Sequence, residues 1–260
     1  MDHHELTRLL VGSAGGDAGE HAEALARGIA ERAGAACEVL GVETAGLPEL
    51  PALGERTLRG SSNGDRSWVR GVPGIELVHR AKACRADLIV LGRRQEASAV
   101  HPLGRTADTV IRRHDGPCLL IPAGAQRLDR MLLALDGTQR GLGILEPAAA
   151  LASVLGAGCL SVHVSATDPG TLSDGTGWTD GATRRVREAL AGYPTLGGAD
   201  GLRLRFGAAV REVLAALQET GANLLVVGVR RGGPPGEMGS GHIGRDLLNT
   251  VPVAILTVPI

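Results

Sequence analysis

Aromatic side chains are nearly missing from this 260-residue sequence: Trp68, Trp178, Tyr193 and Phe206 are the whole supply. So few rings leave little for nucleobases to stack on, which argues against a single-strand nucleic-acid binder. Lysine is scarcer still, since Lys82 is the one lysine among 27 basic residues. No Gly-x4-Gly-Lys-Ser/Thr stretch occurs, so the phosphate-holding lysine of a P-loop is absent. Excess charge of one sign is also lacking: 27 basic residues face 28 acidic ones, a net charge of -1, and no broad field steers nucleic acid toward the chain. Cys37, Cys84, Cys118 and Cys159 stand far apart with no C-x-x-C, which indicates neither a zinc cage nor a disulfide scaffold and reads as four buried cytosolic thiols. No apolar run approaches the roughly 18 to 20 residues of a membrane span. The opening Met1-Asp2-His3-His4-Glu5 lacks the layout of a signal peptide, so the chain is read as cytoplasmic.

What is present is an ordinary globular composition, 43% hydrophobic and 21% charged, in a length that suits two domains of about 130 residues. The second half repeats the element order of the first. Each opens with a short apolar strand (8–13 and 130–136), a helix (17–33 and 143–155) and a second strand (37–42 and 159–164). After a variable stretch come an alternating strand ending on glycine (66–71 and 202–207), a helix (73–84 and 208–219) and the near-identical strands 86–92 and 222–228. A glycine-rich loop, a helix (105–113 and 243–249) and a last strand (117–121 and 252–258) close each copy. Residues 1–124 and 128–260 are therefore read as two copies of one domain. The stretches 46–65 and 168–180 break the pattern and read as loops, the second leading to a helix over 183–190.

Strands that alternate with helices, several of them unbroken Leu, Ile and Val runs, predict parallel sheets covered on both faces. The fold class is α/β, with two tandem doubly wound sandwiches. Such sheets bind ligands at the carboxyl ends of their strands, where the strand order reverses. In the second copy the first strand ends in Leu135-Asp136-Gly137-Thr138, and the fourth ends in Val227-Gly228 and runs into a glycine-rich loop with Arg230, Arg231, Gly232 and Gly241 before His242 and Ile243. A glycine-rich loop entering a helix can wrap backbone N–H groups around phosphate oxygens. Asp136 can accept hydrogen bonds from a sugar or base, or help hold a metal.

The repeated order, together with Leu135-Asp136-Gly137-Thr138, Gly71-Val72-Pro73, Ala86-Asp87-Leu88-Ile89-Val90 and Pro252-Val253-Ala254-Ile255-Leu256, resembles the universal stress protein family over nearly all of both halves. One branch of that family binds ATP through Gly-x2-Gly-x9-Gly-Ser/Thr. The resemblance implies a site in the second half for an adenine nucleotide, with or without magnesium. Asp136 and Val164 would take the base and ribose end and Gly228, Arg231, Gly232, Gly241 and His242 the phosphates, with Leu135, Gly137, Thr138, Val227, Arg230 and Ile243 completing the site. The match is partial. Arg231 stands at the second glycine with Gly232 one place late, His242 stands at the Ser/Thr position, and Pro234 and Pro235 remove two loop donors. A shorter register through Gly239-Ser240 is the other choice. The first half departs further: Ala14 replaces the strand-end Asp, Gln95 the second glycine and Arg105 the Ser/Thr, so it is expected to have lost nucleotide, with Arg93, Arg94 and Arg105 read as a solvated face in preference to an anion site.

Family likeness also implies that the last strands, 117–121 and 252–258, pair with each other, and leaves homodimerisation open. His21, His79, His101 and His114 are placed on helix surfaces or loops, and His163 is a packed strand histidine. No Gly-x-Ser-x-Gly or His-Glu-x-x-His motif offers a nucleophile or catalytic metal. The reading leans away from an enzyme, with slow ATP hydrolysis at most. Two functions follow: a tandem stress-response protein binding adenine nucleotide through its second half, or a nucleotide-free member of that family acting as a structural or regulatory protein-interaction module.

Overall fold

A computed structural model describes residues 5–13, 16–44, 59–60, 66–93, 103–165, 181–230 and 242–260. The chain divides into two compact units, one over Glu5–Gln126 and one over Arg127–Ile260.

In the first unit the elements run β1 (Arg8–Ser13), α1 (Asp17–Ala33), β2 (Ala36–Glu43), β3 (Arg59–Gly60), β4 (Arg66–Arg70), α2 (Pro73–Cys84), β5 (Leu88–Arg93), α3 (Arg105–Arg113) and β6 (Cys118–Pro122). The strands lie in the order β3-β4-β2-β1-β5-β6, all parallel except for the two-residue β3, which runs antiparallel to β4. Central β1 reads Leu-Leu-Val at its buried positions because a parallel strand has helices on both of its faces. β3 falls in the stretch expected to be loop. A two-residue bridge leaves no periodic trace in sequence.

The second unit runs β7 (Arg130–Leu135), a 3-10 turn at Gly141–Ile144, α4 (Leu145–Leu155), β8 (Gly158–Ser165), α5 (Gly181–Ala191), β9 (Leu202–Phe206), α6 (Ala209–Thr220), β10 (Leu224–Val229), α7 (His242–Thr250) and β11 (Ala254–Pro259). Its strand order is β9-β8-β7-β10-β11, parallel throughout. Leu132, Leu133, Leu224, Leu225 and Val226 are fully buried at its centre. The order reverses between β7 and β10, so their carboxyl ends flank the position where doubly wound sheets take ligands.

The opposite, amino-terminal edge of each sheet carries a latch. Asp87 Oδ2 accepts hydrogen bonds from Thr7 N (2.7 Å), Thr7 Oγ1 (2.7 Å) and Arg8 N (2.8 Å). In the second unit Asn223 Oδ1 accepts from Arg130 N (3.0 Å), while its Nδ2 donates to Asp129 Oδ1 (2.8 Å).

One cross-strand pair is filled differently in the two sheets. In the first unit Gly41 of β2 stands opposite Trp68 of β4, and a Cβ at Gly41 would overlap the indole, with Cδ2 only 2.7 Å away. At the corresponding rung of the second unit His163 stands opposite Leu204. The ring sits on the other strand.

The thiols correct an expectation. None of the four forms a disulfide, but only Cys118 is buried, while Cys37, Cys84 and Cys159 are half-buried. Cys37 and Cys159 lie at the amino-terminal ends of β2 and β8, and Cys84 ends α2, where the cover of neighbouring elements is incomplete. His114, placed by sequence on a helix surface or loop, is buried at the C-cap of α3. His21 and His79 are exposed, and His101 lies outside the described residues.

Candidate functional site

Strand β7 ends at the buried Leu135, and the chain then turns through Asp136, Gly137 and Thr138. Gly137 adopts φ 70°, a left-handed conformation that glycine enters without steric cost. Thr138 folds back on the aspartate, its N–H and its Oγ1 each donating to Asp136 Oδ1 at 2.8 Å. Gly141 N in turn donates to Thr138 Oγ1 (2.9 Å), and Leu142 N to Thr138 O (3.0 Å). One carboxylate oxygen is thus committed to the turn. Among the described residues Oδ2 has no hydrogen-bond partner, and Asp136 is exposed.

Two basic side chains grip the peptides on either side. His163 lies on β8 at the rung facing Leu135, with Nδ1 2.7 Å from Leu135 O. A carbonyl can only accept, so Nδ1 carries the proton. Nε2 is buried and has no hydrogen-bond partner among the described residues. Arg185 of α5 donates its Nε–H to Gly137 O at 2.9 Å.

Across the strand-order reversal lie Val227 and Gly228 of β10, with Val227 opposite Ala134 of β7. Val227 is buried. Gly228 is tightly packed: a Cβ there would come within 2.8 Å of Ile260 Cδ1 and 3.3 Å of Ile144 Cγ2, and one on Gly244 within 2.8 Å of Gly228 O. Its lack of a side chain is accounted for by packing. Val164 is half-buried near the end of β8, Arg230 is exposed just past β10, and Ile243 is 47% exposed near the start of α7. Arg231, Gly232 and Gly241 lie outside the described residues, as does the side chain of His242, whose backbone begins α7. The structure therefore brings Leu135, Asp136, Gly137 and Thr138 into one turn, with Val164 one residue beyond the histidine that holds it.

The first unit shows a different edge. Arg93, expected on a solvated face, is 8% exposed at the end of β5, and burial pulls its guanidinium below its ordinary value. A Cβ at the preceding Gly92 would overlap the α1 backbone at Ala18. Arg105 is exposed at the start of α3, while Ala14, Arg94 and Gln95 are outside the described residues.

Sequence reasoning missed Gly141 and Arg185, and did not foresee the bond from His163 to Leu135. Contacts between residues 28 and 48 positions apart leave no local signature. It also missed an open cleft of about 380 Å³ lined by Gln139, Leu142, Leu145, Arg185, Glu188 and Tyr193. Among the described residues, no group of three or more His, Cys, Asp or Glu is placed to hold a metal ion, and no helix is long and apolar enough to cross a membrane.

No protein-family model and no curated protein matches the chain. Solved structures do. A universal stress protein from Archaeoglobus fulgidus is 19% identical, with 97% of this chain and 98% of that chain covered and a TM-score of 0.67. A putative universal stress protein from Pseudomonas aeruginosa UCBPP-PA14 is 16% identical, with 98% and 93% covered and a TM-score of 0.72. A functionally unknown protein from Pseudomonas aeruginosa PAO1 is 17% identical, with 98% and 92% covered and a TM-score of 0.69. Likeness at these identities shows the fold: the chain has the α/β architecture, with mostly parallel sheets, of the universal stress protein structures.

Proposed function

We propose that the chain is a cytoplasmic, tandem universal stress protein whose second unit binds an adenine nucleotide at the carboxyl ends of β7 and β10, with a role in the stress response. One observation carries this reading. Asp136 presents a carboxylate with one oxygen tied down by Thr138 and the other without a partner among the described residues, at the point of the sheet where the strand order reverses. A free, fixed acceptor suits the hydroxyl donors of a ribose or the amino group of a base. Val164 and the turn would hold that end, and the segment from Gly228 to Ile243 the phosphates. Magnesium, where bound, would neutralise phosphate charge; Asp136 is the acidic side chain of this residue set, so it would be the protein's ligand. The fold likeness agrees with the reading.

Titration calorimetry with ATP, with and without magnesium, tests it. Binding is expected in the wild type and at least tenfold weaker in Asp136→Ala, a loss of about 1.4 kcal/mol or more. An absence of heat at millimolar ATP under both conditions rejects it.

A second reading, a nucleotide-free module that docks to other proteins, is favoured by Gly228. The packing of Ile260 and Ile144 against it explains that glycine with no ligand. If ATP fails to bind, this reading stands in its place.

A further inference from the structure

The geometry points to His163 and Arg185 as positioning residues that set the reach of the Asp136 carboxylate, an inference that rests on the nucleotide reading above. The two side chains come from different elements, β8 and α5. They take the carbonyls of the two residues next to Asp136, His163 holding Leu135 O at 2.7 Å and Arg185 holding Gly137 O at 2.9 Å.

Each carbonyl belongs to a peptide group that bears on the carboxylate. The Leu135 carbonyl shares its plane with the nitrogen of Asp136, so the imidazole fixes the plane from which the aspartate hangs. The Gly137 carbonyl shares its plane with Thr138 N, which donates to Asp136 Oδ1. A guanidinium donating to that carbonyl polarises the amide and strengthens the N–H it offers the carboxylate. The chain of bonds runs Arg185 to Gly137 O, through the peptide to Thr138 N, and on to Asp136 Oδ1. Gly141 N closes the arrangement by donating to Thr138 Oγ1. The outcome is a carboxylate oriented before any ligand arrives, which lowers the ordering cost of binding.

Each side chain carries a cost where it stands. The ring of His163 leaves a buried Nε2 with no partner among the described residues, an expensive choice for a core position. At the same rung of the first unit Gly41 stands on the strand, with the Trp68 indole packed against it from β4. Arg185 is exposed, and an exposed arginine held in one conformation gives up considerable rotamer freedom. Both costs are offset if holding the carbonyls is what these residues do.

The test uses the full chain and variants that remove or keep the donating atom. His163→Leu and Arg185→Met remove it; His163→Asn places an amide N–H near the former Nδ1, and Arg185→Gln places one near the former Nε. ATP dissociation constants are read by calorimetry, and the hydrogen-exchange rates of the Thr138 and Gly141 amides by NMR without ligand. We expect about tenfold weaker ATP binding and about tenfold faster exchange at Thr138 in the donor-less variants, with the donor-keeping variants restored to within about threefold of wild type. Unchanged exchange in Arg185→Met, whose exposed position leaves folding intact, overturns the inference. Equal loss in the donor-keeping and donor-less variants also overturns it, since ring shape or charge would then be the cause. If exchange responds as expected and wild-type protein binds no ATP, the positioning stands and the nucleotide reading falls.

Discussion

Gly141 passes so close to Asp136 that a methyl group on it would overlap the carboxylate at Oδ1. The aspartate turn therefore needs glycine at this position for reasons of space. Gly141→Ala should push the carboxylate aside, break the bonds from Thr138 and cost about 1–3 kcal/mol of overpacking. Calorimetry with ATP and urea unfolding check it. Gly143→Ala, two residues on in the same 3-10 turn with nothing within 4 Å, is the control and should be neutral or stabilising by about 0.5–1 kcal/mol.

The latch at the amino-terminal edge of the first sheet gathers three donors on one carboxylate oxygen. Asp87→Ala should destabilise the first unit by about 1–2 kcal/mol, whereas Asp87→Asn should recover most of the loss by keeping an acceptor. Urea midpoints for the three proteins measure this. A wild-type midpoint for Asp87→Ala would show the latch to be energetically idle.

Thiol chemistry gives a pH dependence. Burial pushes Cys159 up to about 11 and Cys118 higher still. The folded state favours the protonated thiol, so this contribution is complete below the ordinary value near 9 and is lost as pH rises toward 11. At pH 8 both thiols should react with iodoacetamide far more slowly than free cysteine. Mass spectrometry of the labelled peptides reads the rates, and rapid labelling of Cys159 would contradict the assignment.

Trp68 and Gly41 should behave as one packing unit. Gly41→Val alone is expected to cost about 2–3 kcal/mol by forcing the indole out of place. In a Trp68→Leu background the same change should cost much less, giving a coupling of at least about 1 kcal/mol in a double-mutant cycle. Additive costs would mean that the strands shift instead of the ring.

Helix α1 and helices α2 and α3 begin and end where the apolar spacing and their glycine, proline and arginine boundaries place them. The buried strands are legible as Leu, Ile and Val runs because a strand covered on both faces has no polar side to show. Their ends are less so: β5 and β10 begin two residues later than expected, because Asp87 and Asn223 leave the ladder to serve as latches. Asp136 and its turn could be read because a strand-end Asp-Gly-Thr is a local pattern. The bonds from His163 and Arg185 could not, since a hydrogen bond to a backbone carbonyl constrains the donor alone and leaves the accepting residue's identity free. Gly228 shows the converse, a residue legible as part of a loop motif whose surroundings supply a second reason for it.

The reversed placement of the ring at the Gly41–Trp68 and His163–Leu204 rungs limits how the two halves can exchange material. Grafting β8 alone into the first unit would set His163 opposite Trp68, and grafting β2 alone into the second would set Gly41 opposite Leu204 without the indole that packs on it. Only a matched pair of neighbouring strands is a transferable module, so recombination between these otherwise parallel segments is confined to crossovers that carry both members together.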